Sequence, residues 1–186
     1  MALPREPRQK MINIMYLVLT AILALNVSAE VIEAFKTVDA SLINSNTNLN
    51  NSTSTTLKSL SAKAVDPKTA EQGKIWYPKA DSASKISAAL SNYIETLKTQ
   101  LRTAAGSKDG ITDFKEDNLD ASTRLFETNG KGKELEQKLN EYKKAMLGID
   151  PAIAKEFESN FPVSTEVPGG NQIGKSKDFT STYFHM

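Results

Sequence analysis

Hydrophobic and polar positions divide the chain into three regimes. From Met11 to Ala29, nineteen consecutive residues carry no charge. As a helix rising about 1.5 Å per residue, that run covers roughly 28 Å, close to the ~30 Å hydrocarbon core of a bilayer. Beyond it the apolar residues thin to a stripe, Val31, Phe35, Val38 and Leu42, at steps of four, three and four. The same helix therefore continues past the uncharged run. The stripe enters Asn44–Thr56, where twelve of thirteen residues are Asn, Ser or Thr and Leu49 is the exception. Propensity alone makes this a linker. Leu49, Leu57 and Leu60 stay near the stripe, however, so the pattern predicts one long helix with a polar, weakly stable middle.

A second helical region starts near Pro67. Ile86, Leu90, Tyr93, Leu97 and Leu101 recur at three- and four-residue steps and form one apolar face, ending around Gly106. Trp76 and Tyr77 precede Pro78; they could stack on a ligand, but the core reading is preferred in a small helical domain. Gly106 to Lys131 is polar and glycine-containing, which predicts a connection with short irregular pieces. A third helix, Lys133 to Leu147, aligns Leu135, Leu139, Tyr142 and Met146, with Glu134 four residues before Lys138 for an ion pair and Gly148 as its stop. Asp150-Pro151 then opens a short helix carrying Ile153, Phe157 and Phe161, with Asp as cap and Pro in the first turn. Stripes of this kind bury one another in antiparallel bundles.

The flanks of the uncharged run set its orientation. Arg5, Arg8 and Lys10 precede it against Glu6, while Glu30 and Glu33 follow it. The positive-inside rule places the N-terminus in the cytoplasm and the rest outside. A cleaved signal is the competing reading, because Val27-Ser28-Ala29 resembles a peptidase site. The run is longer than a signal core of about 7–15 residues, and its helical pattern does not stop at the supposed cut, so a retained anchor is preferred. The sequence thus predicts an all-α protein: a cytoplasmic segment 1–10, a single transmembrane helix 11–29, and an exported antiparallel helical bundle 30–186.

Within the span, Thr20, Ala24 and Ser28 recur every fourth residue, a spacing that lets a second backbone approach closely. Small residues are also common in membrane helices, so the spacing permits a helix pair without requiring it. Asn13, Tyr16 and Asn26 are polar groups at membrane depth, which are costly against lipid and suited to a protein neighbour.

Charge and composition then remove whole classes of function. The formal net charge is +1, with 23 basic and 22 acidic residues, so the excess of positive charge expected of a nucleic-acid binder is missing. There is no cysteine, hence no thiol chemistry, disulfide or thiolate metal site. The single histidine, His185, cannot supply a histidine metal cluster or a Ser/His/Asp triad. No catalytic cluster, cofactor site or metal site is legible, and a non-enzymatic role is expected. One pattern argues otherwise: "GGNQIGKS", Gly169 to Ser176, satisfies G-x-x-x-x-G-K-[ST]. Such a loop needs a buried strand before it and a helix after it. "PVSTEVP" is polar and bracketed by prolines, so the match reads as a glycine-rich connection rather than a nucleotide site.

"PRQKMIN" and "MYLVLTAILALNVSAEV" at the start, with "NGKGKELEQKLNEYKKAM" further on, resemble the GldM (PorM) family of the type IX secretion and gliding-motility machinery. The resemblance implies the membrane helix plus most of the first periplasmic domain, with the family's later β-sandwich domains, and their links to outer-membrane components, not included. It also implies a helix through the polar Asn44–Thr56 stretch. It implies a homodimer whose two membrane helices sit inside a pentameric ring of the multi-span protein GldL in the inner membrane. That assembly would act as a motor driven by the proton-motive force. The family's key arginine falls on Arg8 and its motif tyrosine on Tyr16. Arg8 is expected to pair with a buried carboxylate of the ring, since guanidinium keeps its charge while a carboxylate in a low-dielectric setting exchanges its proton. Without the resemblance, Arg8 reads as a positive-inside anchor and Tyr16 as a packing aromatic. The alternative function is a membrane-anchored helical sensor or adhesin, for which any basic residue at position 8 would serve.

Overall fold

The computed structural model describes residues 7–116, 118–167 and 178–184; within these, the side chains of 23–29 and of residue 119 lie outside the description. Every regular element among the described residues is helical, as the spacing of apolar positions predicted. Met1–Ser59 and Leu60–Met186 form two compact units.

Helix α1 runs from Pro7 to Val65, 59 residues, without interruption through Asn44–Thr56. Pro7 suits a first helical position, where its missing N–H has no partner to lose. Thr and Ser disfavour helices because their hydroxyls compete for backbone groups. Here the hydroxyls of Thr37, Thr47, Thr55 and Thr56 donate to the carbonyls four residues back, at 2.9–3.1 Å, and leave the helical ladder intact. The polar middle is therefore helix rather than linker. In the first unit Val31, Phe35, Val38, Leu42 and Leu49 are all exposed, so the stripe lies uncovered in the isolated chain. No helix among the described residues is long and apolar enough to cross a membrane. Of the run Met11–Ala29, the described side chains are those of 11–22. The transmembrane span read from 11–29 accordingly rests on the sequence.

In the second unit, Asp66 to Thr69 form a turn rather than the start of a helix. Asp66 accepts the Lys68 N–H on Oδ1 and the Thr69 N–H on its carbonyl, and the Thr69 hydroxyl donates to the Lys63 carbonyl. Helix α2 (Ala70–Ala104) therefore begins three residues after Pro67. Gly73 is buried there because the backbone of Lys63 and Ala64 passes directly against it. Leu97 is buried on the face foreseen, flanked by Tyr93 and Leu101. Trp76 departs from expectation: it is 44% exposed, not core. Its ring instead takes the Lys79 ammonium at 4.7 Å, a cation–π contact made at the surface of the helix.

The segment between Gly106 and Lys131 is more ordered than its composition suggested. Helix α3 (Leu119–Thr123) passes directly into a π-turn, Arg124–Thr128, that places Leu125 and Phe126 beside Leu97 in the deepest cluster of the domain. Helix α4 (Lys131–Leu147) starts two residues earlier than its stripe implied, because Gly130 reverses the chain with φ +72°. Lys79 to Asp150 and Ser87 to Tyr142 pair α2 with the α4 side in descending order, so the two helices are antiparallel. The anticipated Glu134–Lys138 pair does not form. Glu134 instead holds Lys131 at 2.6 Å, and Lys138 holds Glu141 at 3.0 Å. Gly148 ends α4 with its N–H on the Lys144 carbonyl.

Helix α5 (Pro151–Phe157) starts as read, with Asp150 capping the Ala152 N–H at 2.8 Å and Pro151 in the first turn. Phe161, after a 3₁₀ turn at Glu158–Asn160, meets Tyr142 at 5.9 Å, whereas Phe157 is 45% exposed and leaves the stripe. Helix α6 (Phe179–Tyr183) returns against α4 and the π-turn.

Candidate functional site

The residues singled out by the sequence, Arg8 to Ser28, lie on about the first six turns of α1. Arg8 is in its first turn, directly after Pro7, and is exposed. Asn13, Tyr16 and Thr20 follow at steps of three and four and are also exposed. At 100° per residue these three fall within an arc of about 60°, one helix face. The Thr20 hydroxyl donates to the Tyr16 carbonyl at 2.7 Å, so it adds no polar group that a neighbour must satisfy. Arg8 stands about 12 Å from Tyr16 along the axis and is rotated by about 80° from it. The two therefore address neighbours at different depths. Ala24 and Ser28 belong to α1 by backbone, but their side chains lie outside the described residues. Around this face Met11, Ile14, Met15, Leu17, Leu19 and Ile22 are exposed at 52–75%. An apolar surface of this size on a helix is what lipid or partner helices cover.

The sequence reading missed a second polar arrangement. Lys79 on α2 is ion-paired with Asp150, whose other oxygen caps α5. The lysine first, and the Ala152 N–H next, hold the Asp150 carboxyl below the usual carboxylate range. The Asp-Pro signature revealed the cap; no local signal could reveal a partner 71 residues away. Beside the core, burial first and Glu134 next push the Tyr93 hydroxyl up to about 12. The Asp109 carboxylate is encircled by the N–H groups of Thr112 and Ile111 and the hydroxyls of Thr112 and Ser107, which hold its pKa far below the carboxylate norm. These donors leave it structural, a pin for the loop after α2. No group of three or more metal-ligating side chains is found among the described residues. Gly169 to Ser176 and His185 lie outside them.

A long continuous helix with an uncovered apolar N-terminal face, followed in the chain by a small helical domain, defines an all-helical class of protein. The model of the GldM N-terminal domain matches residues 30–186, so the chain belongs to the GldM family. That family is membrane-associated and serves the gliding-motility and type IX secretion machinery. No curated protein and no solved structure matches the chain.

Proposed function

We propose that the chain is the rotor or shaft component of a membrane motor, driven by the proton-motive force, that powers type IX secretion and gliding. It acts by transmitting motion and catalyses no reaction. One observation carries this reading: the family match begins at residue 30, where the uncharged run ends, and α1 passes through that boundary without a break. In a bilayer, residues 11–29 span the membrane, 1–10 are cytoplasmic, and 30–186 form the periplasmic domain. A helix continuous across the boundary joins the membrane span directly to the first periplasmic residues.

Two copies of α1 pair through the Thr20, Ala24 and Ser28 face and through the stripe Val31, Phe35, Val38 and Leu42, which the isolated chain leaves uncovered. The pair sits within a multi-span, GldL-like ring. Arg8, at the cytoplasmic margin, is held by an ionised carboxylate of that ring; protonation releases it, and the next ionised carboxylate captures it. Asn13 and Tyr16, on the same side of the helix as Thr20 but about 6–10 Å nearer its cytoplasmic end, contact the ring there. A pair inside five subunits never satisfies all contacts at once, so successive captures turn it.

The test is Arg8→Ala and Arg8→Lys in the native host, with expression and co-purification of a multi-span membrane partner checked in parallel. Arg8→Ala is expected to stop gliding and secretion while leaving the partner bound. Normal gliding in Arg8→Ala eliminates the ion pair, and absence of a multi-span partner from the purified wild-type complex eliminates the ring.

A further inference from the structure

Helix α6 is five residues long, too short to hold itself in water, so its structure depends on its seat against α4 and the π-turn. Two contacts hold it there. Phe184 stacks on Phe126 with ring centroids 3.9 Å apart and planes within 15°, and Phe179, buried, meets Phe184 edge-on at 6.0 Å. Thr180, 4% exposed, rests on Gly132, whose lack of a side chain makes the fit possible: a Cβ there would lie 2.4 Å from the threonine hydroxyl oxygen and methyl carbon.

The same threonine opposes docking. Its Oγ1 is buried and has no hydrogen-bond partner among the described residues. In the undocked state water would satisfy that hydroxyl, so seating α6 strips it of a hydrogen bond and returns none. Valine has the same shape without this penalty. The aromatic attraction and the orphaned hydroxyl therefore act against each other on one short element, while α2 and α4 are joined by separate contacts, Lys79–Asp150 and Ser87–Tyr142.

We propose that α6 is a releasable strap: Asp178 to Phe184 leave their seat as a unit, exposing Phe126 and Gly132, while α2 and α4 remain folded together. Release is cooperative because the amides of Ser181, Thr182 and Phe184 all bond within the strap, to Asp178 Oδ1, the Asp178 carbonyl and the Thr180 carbonyl. None of these bonds survives the loss of the aromatic seat.

Native-state hydrogen exchange on the full chain in detergent micelles tests this. The amides of Ser181, Thr182 and Phe184 are expected to exchange together, at least about tenfold faster than those of Leu97 and Leu135. Thr180→Val is expected to slow the strap amides about tenfold, by removing the orphaned hydroxyl, with Leu97 unchanged. Phe184→Leu is expected to accelerate them, again with Leu97 unchanged. Strap amides that exchange at the Leu97 rate, or that Thr180→Val fails to slow, would overturn the proposal, as would Phe184→Leu accelerating Leu97 and the strap equally.

Discussion

Lys79 and Asp150, separated by 71 residues in the chain, are ion-paired between α2 and the start of α5. Because Asp150 Oδ1 accepts the Ala152 N–H while Oδ2 meets the lysine, one carboxylate both begins a helix and ties it to another. Asp150→Asn keeps an oxygen for the cap and loses the charge; Asp150→Ala loses both. Thermal unfolding followed by circular dichroism should therefore rank wild type above Asp150→Asn above Asp150→Ala. Added salt should narrow only the first gap.

Acid should loosen the domain through a defined set of carboxylates. Glu134, Asp150 and Asp178 are all held below their usual range, by Lys131, by Lys79 and by Ser181 respectively. Depressed folded-state values mean stability that is full above the unfolded range, about pH 4, and lost as pH falls through the folded values. The melting temperature should hold from neutral pH to about 5 and then decline. The decline should be shallower in Asp150→Asn.

Tyr93 makes the opposite prediction at the alkaline end. Its pKa, raised to about 12, keeps the folded protein protonated where the unfolded chain ionises. The stability it contributes is complete below the unfolded value of about 10 and disappears as pH rises through about 12. Ultraviolet titration should show a tyrosine step at about pH 12, and Tyr93→Phe should remove it.

Gly73 and Gly130 are both glycines for backbone reasons, but the reasons differ. A Cβ on Gly73 would lie 2.5 Å from the backbone of Ala64, which cannot move aside alone. Gly73→Ala should cost about 1–3 kcal/mol in chemical denaturation. Gly130 has φ +72° and, among the described residues, nothing within 4 Å of a Cβ, so Gly130→Asn, a residue that accepts left-handed backbone, should be nearly neutral.

The aromatic residues should separate sharply. Phe126 is 6% exposed and packs with Leu97 and Leu125, so Phe126→Ala should cost about 3–5 kcal/mol. Trp76, 44% exposed, should lose far less on truncation despite its size. Equal losses at the two positions in denaturant titrations would contradict the burial described above.

On the candidate site, the sequence supplied the positions and the helix supplied their relation. Asn13 and Thr20 stood out by polarity and small size against an apolar background, whereas Arg8 and Tyr16 were singled out by the resemblance to the family's motifs. Their common helix follows from three- and four-residue steps. What they touch was not legible, because no spacing within one helix encodes a neighbour outside it.

By itself the sequence determined the all-helical class, the apolar face of α2 and the Asp150-Pro151 start of α5; through the polar stretch of α1 it offered only a sparse apolar stripe, and the resemblance supplied the helix there. Each depends on residues within a turn or two of one another, and helical geometry makes such spacing explicit. Tertiary structure alone decided that Leu125 and Phe126 complete the core from a polar stretch, that Trp76 faces solvent and that Glu134 takes Lys131 rather than Lys138. It also decided that Lys79 finds Asp150 and that Thr180 lands on Gly132. These depend on how far one helix slides and turns against the next. That offset is set by the sum of many side-chain contacts, and no periodicity within a single segment encodes it.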